Sequence, residues 1–123
     1  MSRKFIFSLH EYYHLYNRGV EKRVIFLDNQ DRERFIRLLF LSNSLLRFNY
    51  HDIFTRGLAS RMEEVKRGKP LVAIGAWCLM ENHFHMLVKE IEEDGISQFM
   101  QKLMTAYTMY FNRKYERKGR LFE

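Results

Sequence analysis

Residues 71 to 90 read LVAIGAWCLMENHFHMLVKE. The stretch from Leu71 to Met80 is apolar on both faces, as a central strand must be if its sheet is covered on both sides. Glu81-Asn82 then supplies a turn, and HFHMLVKE follows with alternating faces, which predicts an antiparallel hairpin. Little else in the chain constrains the fold as strongly, because a hairpin of this kind demands a sheet and something packed against it.

The other elements follow from the flanking sequence. YYHLYN, residues 12 to 17, alternates aromatic or apolar with polar side chains and ends at Asn17-Arg18-Gly19, which predicts a short strand and a turn. Asp28 reads as an N-cap, and Phe35, Ile36, Leu38, Leu39, Ser42, Leu45 and Leu46 recur at helical spacing, predicting an amphipathic helix from about Asp28 to Leu46. Arg32, Arg34 and Arg37 lie on its other face. Residues 47–70 lack a clean period and read as an excursion or insertion with a short helix near Ala59 to Lys66. Ile96, Phe99, Met100, Leu103, Ala106, Tyr107, Tyr110, Phe111 and Lys114 form one stripe of a long helix, with Gly119 as its expected stop.

The order strand, helix, strand, strand, helix predicts an α+β fold. It is the ferredoxin-like split βαβ sandwich, an antiparallel sheet with helices on one face, without its last strand. At 123 residues and 15.1 kDa, with 46% apolar and 29% charged residues, the chain suits one domain, residues 1–123, with its own core.

No apolar run approaches the ~18 residues of a membrane-spanning helix, and the basic start MSRKFIFSLHEYYHL has no signal-peptide core. The expectation is a soluble, cytoplasmic protein with no membrane partner. Cys78 is the single cysteine, so neither an intrachain disulfide nor a cysteine-based zinc framework is available. The formal charge is +6, with Lys and Arg gathered at Arg18–Arg23, Arg32–Arg37 and Arg113–Arg120. Such clusters are either a solvated surface or the footprint of a phosphate-binding protein.

His83 and His85 project from one side of the predicted second hairpin strand, ~6.6 Å apart along the backbone. Two readings of the pair stand at this point. Both are half-exposed strand residues bonded to neighbours, or both hold one metal ion whose remaining positions are filled from elsewhere. NRKYERKGR (112–120) interleaves Tyr115 with five basic side chains and NRGVEKR (17–23) adds three more; cations along the backbone and aromatic rings on the bases are the two components of single-strand binding.

Taken together, YYHLYNRG (12–19), FLDNQDRERFIRLL, AWCLMENHFHMLV (76–88) and ISQFMQKLMTAYTMYFNRKYERKGRLFE (96–123) resemble the small tyrosine-dependent single-strand DNA transposases. The resemblance is to their REP-associated branch within the HUH nucleases, and it leaves out residues 47–70. It implies a ferredoxin-like core, often dimeric, that binds single-stranded or hairpin DNA and uses a divalent ion, Mg²⁺ or Mn²⁺. His83 and His85 match the family's metal pair. The resemblance also implies attack by a tyrosine phenolate on the scissile phosphate, leaving a covalent 5′-phosphotyrosine and a free 3′-hydroxyl. No GxxxxGK[ST] loop is present, in keeping with chemistry that needs no nucleotide. DNA contact is expected from Arg18, Lys22, Arg23, Arg113, Lys114, Arg117, Lys118 and Arg120.

Two departures from the family pattern stand out. Glu81 occupies a position where relatives carry proline, as a turn residue or as a carboxylate that tunes the site. The family's nucleophilic tyrosine, and the Asn or Gln one helical turn after it, are expected beyond Glu123. The chain is then either a fragment of a longer reading frame or a degenerate copy that binds DNA without cutting it. Tyr107, Tyr110 and Tyr115 are the internal phenols to weigh, the first two as core aromatics and the third as a packing or stacking ring. A ferredoxin-like RNA-binding module is the remaining alternative.

Overall fold

A computed structural model of the protein describes residues 6–56 and 65–123. Strand β1 (Tyr12–Arg18) leads through a 3₁₀ turn (Val20–Lys22) to helix α1 (Asn29–Ser42) and the short helix α2 (Tyr50–Thr55). Strands β2 (Val72–Leu79) and β3 (His83–Glu90) follow, then helix α3 (Gly95–Lys114). The sheet order is β1-β3-β2 with both pairings antiparallel, so β3 lies between the two strands joined by α1. That is the split βαβ arrangement expected from the sequence.

Alternation along β3 divides the sheet into two faces. Phe84, Met86 and Val88 are fully buried beneath α1 and α3, where they meet Phe35, Leu38, Phe99, Leu103 and Tyr107. Each such large apolar side chain contributes on the order of 1.5–3 kcal/mol on burial. His83, His85 and Leu87 face the other way, on a side that no described helix covers.

The N-terminus of α1 is capped by Asp28, whose side chain accepts from the Asp31 N–H at 2.9 Å. Its C-terminus is held by Asn43, whose side chain donates to Val72 O and accepts from the N–H groups of Leu71 and Val72 at 2.8–2.9 Å. Glu90, buried at the end of β3, accepts from the Ile96 N–H at 2.7 Å and so ties β3 to the first turn of α3.

Several expectations change. β2 is an edge strand and not the central one: Trp77 is 45% exposed, and the register slips between Ile74 and Ala76. An unbroken apolar run therefore does not mean two covered faces here, and the central place goes to the strictly alternating β3. α1 stops at Ser42, leaving Leu45 and Leu46 exposed, because Asn43 turns the chain toward β2. Arg34 does not lie on a solvated face; its guanidinium sits 3.5 Å from the Phe54 ring centroid and 4.3 Å from that of Tyr110. α2, within residues 47–70, was not anticipated, and of the helix expected near Ala59 to Lys66, residues 59–64 lie outside the described ones. α3 ends at Lys114, five residues before the stop expected at Gly119, with Glu116 taking the left-handed conformation (φ 51°).

Residues 121–123 run along the free edge of β1. Gly19 and Phe122 form an antiparallel bridge, Val20 N–H donates to Leu121 O and Glu123 N–H donates to Arg18 O, both at 2.8 Å. This is the place of a fourth strand in a ferredoxin-like sheet, and Leu121 and Phe122 are buried there.

Candidate functional site on the open sheet face

The register of β1 against β3 sets Arg18 opposite His83 and Tyr16 opposite His85. Directly opposed residues of an antiparallel pair have Cβ atoms about 5 Å apart, so the four side chains share one surface. They line a hollow of about 760 Å³ together with Asn17, Asn82 and Glu123. Gly19 makes the adjoining turn possible: a Cβ there would lie 2.3 Å from Arg23 O. The β2–β3 turn docks on the same loop, with Glu81 O accepting from Ile25 and Phe26 N–H groups and Asn82 O accepting from Gly19 N–H. Glu81 therefore acts here through its backbone, and its side chain is not among those lining the hollow.

His83 and His85 meet edge to face, with ring centroids 5.0 Å apart and planes at 87°. Nδ1 of His83 lies 2.8 Å from Asn82 Oδ1, an acceptor, so His83 donates from Nδ1 and keeps Nε2 free when neutral. Nδ1 of His85 lies 2.9 Å from Nε2 of His14 on β1. The pKa of His85 is lowered, first by lost hydration and then by the neighbouring His83 and His14 charges, which favours the neutral, ligating form. His14 went unnoticed in the sequence. It sits one step diagonal to His85 across β1 and β3, a relation set by register and invisible in spacing along the chain.

The pair fits a divalent ion in its donor chemistry: two imidazoles, the Nδ1 of each engaged by a neighbour. Among the described residues, no group of three or more His, Cys, Asp or Glu is arranged to hold a metal ion. Two protein donors leave the remaining positions to oxygen ligands, and histidine is an unusual ligand for Mg²⁺, so of the two ions that the resemblance implies, Mn²⁺ suits imidazole donors better than Mg²⁺.

The basic residues separate into two groups. Arg18 forms a two-point pair with Glu123, at 2.8 and 3.1 Å. The Glu123 carboxyl is held below its usual range, first by that hydrogen bond and Arg18's charge, then by Arg120 and Lys22. Arg117 has a lowered pKa, first from lost hydration and then from the like charge of Arg23. The runs 17–23 and 117–120 thus converge beside the histidine hollow, with Lys118 exposed on the second of them. Arg113 and Lys114 stand apart. Arg113 bonds to His51 at 2.8 Å, and Lys114 pairs with Asp28 at 2.7 Å and Asp31 at 3.0 Å. Lys114 is thereby committed to the fold.

The phenols weighed on α3 are engaged as well. Tyr107 is fully buried and donates to Ile25 O. Tyr110 and Tyr115 donate to the two oxygens of Asp31, each at 2.6 Å. All three phenol pKa values are raised, by burial first, then for Tyr107 by the nearby Asp31 charge and for the other two by the bond to Asp31.

The family model for IS200-like transposases matches residues 46–122, and the chain belongs to that family. The match runs through residues 47–70, which the sequence resemblance left out, and begins after β1 and α1, on which that resemblance partly rested. Comparison with curated proteins and with solved structures finds no match. No described helix is long and apolar enough to cross a membrane.

Proposed function

We propose that this transposase-family chain binds single-stranded or hairpin DNA on the open sheet face and holds a divalent ion, Mn²⁺ or Mg²⁺, on His83 and His85. The observation that carries the reading is the placement of Arg18 opposite His83, in one hollow with His85 and Tyr16. A planar guanidinium suits a phosphate, and the Tyr16 ring, 65% exposed, suits an unpaired base. Lys22, Arg23, Arg117, Lys118 and Arg120 extend the cationic track; Arg113 lies outside it. When bound, the ion supplies Lewis-acid polarisation of the scissile phosphate.

In the reaction implied for the family, a phenolate oxygen bonds to phosphorus as the bond from phosphorus to the 3′ oxygen breaks. The 5′-phosphate is left on tyrosine, and the 3′ oxygen takes up a proton. Tyr107, Tyr110 and Tyr115 are poor candidates for that phenolate, each being hydrogen-bonded and held in its protonated form. Residues 1–123 accordingly bind DNA without cutting it through these three phenols. A homodimer and a cytoplasmic location belong to the same reading.

Titration of the whole chain with fluorescent single-stranded DNA, hairpin DNA and RNA of matched sequence tests it. DNA is expected to bind more tightly than RNA, with affinity falling steeply as salt rises. A preference for RNA contradicts the reading and favours an RNA-binding module. A covalent adduct formed with Mn²⁺ and lost in Y107F, Y110F or Y115F contradicts the assignment of the phenols. Light scattering of the purified protein tests the dimer.

A further inference from the structure

A neutral imidazole carries one N–H, so a histidine that ligates through Nε2 must hold its proton on Nδ1 and needs an acceptor there. Asn82 supplies that acceptor to His83. For His85 the partner within reach of Nδ1 is Nε2 of His14, at 2.9 Å.

The two rings lie within 8° of parallel with centroids 5.0 Å apart. A nitrogen–nitrogen distance of 2.9 Å is shorter than the ~3.5 Å at which stacked atoms rest, so the two parallel rings are not stacked face to face but meet at their nitrogen edges. That is the geometry of an N–H···N hydrogen bond, with one proton between two ring nitrogens. Only one of its two arrangements leaves His85 able to ligate through Nε2. If His14 donates, His85 carries its proton on Nε2 and that lone pair is lost; if His85 donates, its Nε2 is free.

We propose that His14 is a positioning residue for the cation site, accepting from Nδ1–H of His85 through its own Nε2 and so holding His85 in the tautomer whose Nε2 lone pair is free to take a divalent ion. The inference rests on the assignment of His83 and His85 to that ion. His14 touches neither ion nor DNA in this role; it acts through His85, as Asn82 acts through His83. Its ring is exposed on the strand face, so its replacement leaves the core intact.

Two variants separate the acceptor from the ring. H14F keeps a flat ring and deletes the acceptor, and H14Q restores an acceptor oxygen. The tautomer of His85 is read from its ring ¹⁵N shifts in the metal-free chain, at a pH where the imidazoles are neutral, and the affinity for Mn²⁺ is read by electron paramagnetic resonance. The unsubstituted chain is expected to carry the His85 proton on Nδ1. H14F is expected to move it to Nε2 and to weaken Mn²⁺ binding about tenfold, with H14Q recovering both. A His85 protonated on Nε2 in the unsubstituted chain, or an unchanged tautomer in H14F, overturns the inference. Mn²⁺ binding with the wrong tautomer overturns this inference alone, whereas no Mn²⁺ binding by the unsubstituted chain overturns the cation assignment and the inference with it.

Discussion

Asp31 on α1 and Tyr115, just past the end of α3, are joined by a 2.6 Å hydrogen bond to a carboxylate that has no exposed surface. The same carboxylate accepts from Tyr110, from the Leu27 N–H at 3.0 Å and from Lys114. The two helices that cover the sheet are thus locked at their crossing by one buried charge whose oxygens are all engaged. D31A leaves two phenols and the Leu27 N–H without their acceptor and Lys114 with Asp28 alone, and is expected to lower stability by about 3 kcal/mol. Y115F removes one bond and is expected to cost about 1 kcal/mol. Urea unfolding of the two variants checks both values.

The same site gives stability a defined pH dependence. Burial, the largest influence, raises the Asp31 pKa, but the bonds from Tyr110, Tyr115, Leu27 N–H and Lys114 outweigh it, leaving the pKa below its ordinary 3.8. The unfolded chain therefore binds the proton more readily than the folded one. The stabilisation is complete above the unfolded-state pKa and is lost as pH falls through the lower folded value. Between about pH 5 and pH 3 the urea midpoint of the unsubstituted chain is expected to fall further than that of D31N, which has no such proton to gain. Parallel acid limbs for the two proteins would remove Asp31 from the account.

Much of this architecture was legible beforehand, for reasons that also explain the gaps. The hairpin and the long α3 stripe are local patterns repeated over several turns or alternations, and they appear where expected. His83 and His85 share a face because strand alternation alone requires it. His14 and the Tyr110–Asp31–Tyr115 lock depend on which strands and helices become neighbours, and spacing along the chain carries no such information. α2 is only six residues long, too short for a period to register. Lys114 reads from the sequence both as the end of the α3 stripe and as a cation of a basic run, and its pairing with Asp28 and Asp31 depends on α3 packing beside α1.

Asn43 makes three hydrogen bonds to the start of β2 while 5% exposed. N43A strands two buried N–H groups and a carbonyl, and is expected to lower stability by about 3 kcal/mol. The loss should come with faster hydrogen exchange at Leu71 and Val72; protection unchanged at those amides would contradict this role.

Glu123 occupies the Arg18 guanidinium that is proposed to meet a phosphate. E123Q removes the competing charge and is expected to tighten single-stranded DNA binding, with the dependence of log K on log salt steeper by about 0.7, as for one added phosphate contact. R18A is expected to act in the opposite direction. Equal salt slopes for E123Q, R18A and the unsubstituted chain would place the DNA elsewhere.

The central claim is that the imidazole pair on the open face holds a divalent ion, and Mn²⁺ titration followed by electron paramagnetic resonance tests it most directly. The unsubstituted chain is expected to bind Mn²⁺, with H83A and H85A each weakening it and the double variant H83A/H85A abolishing it while unfolding normally in urea. Equal Mn²⁺ binding by a folded H83A/H85A protein would contradict the account.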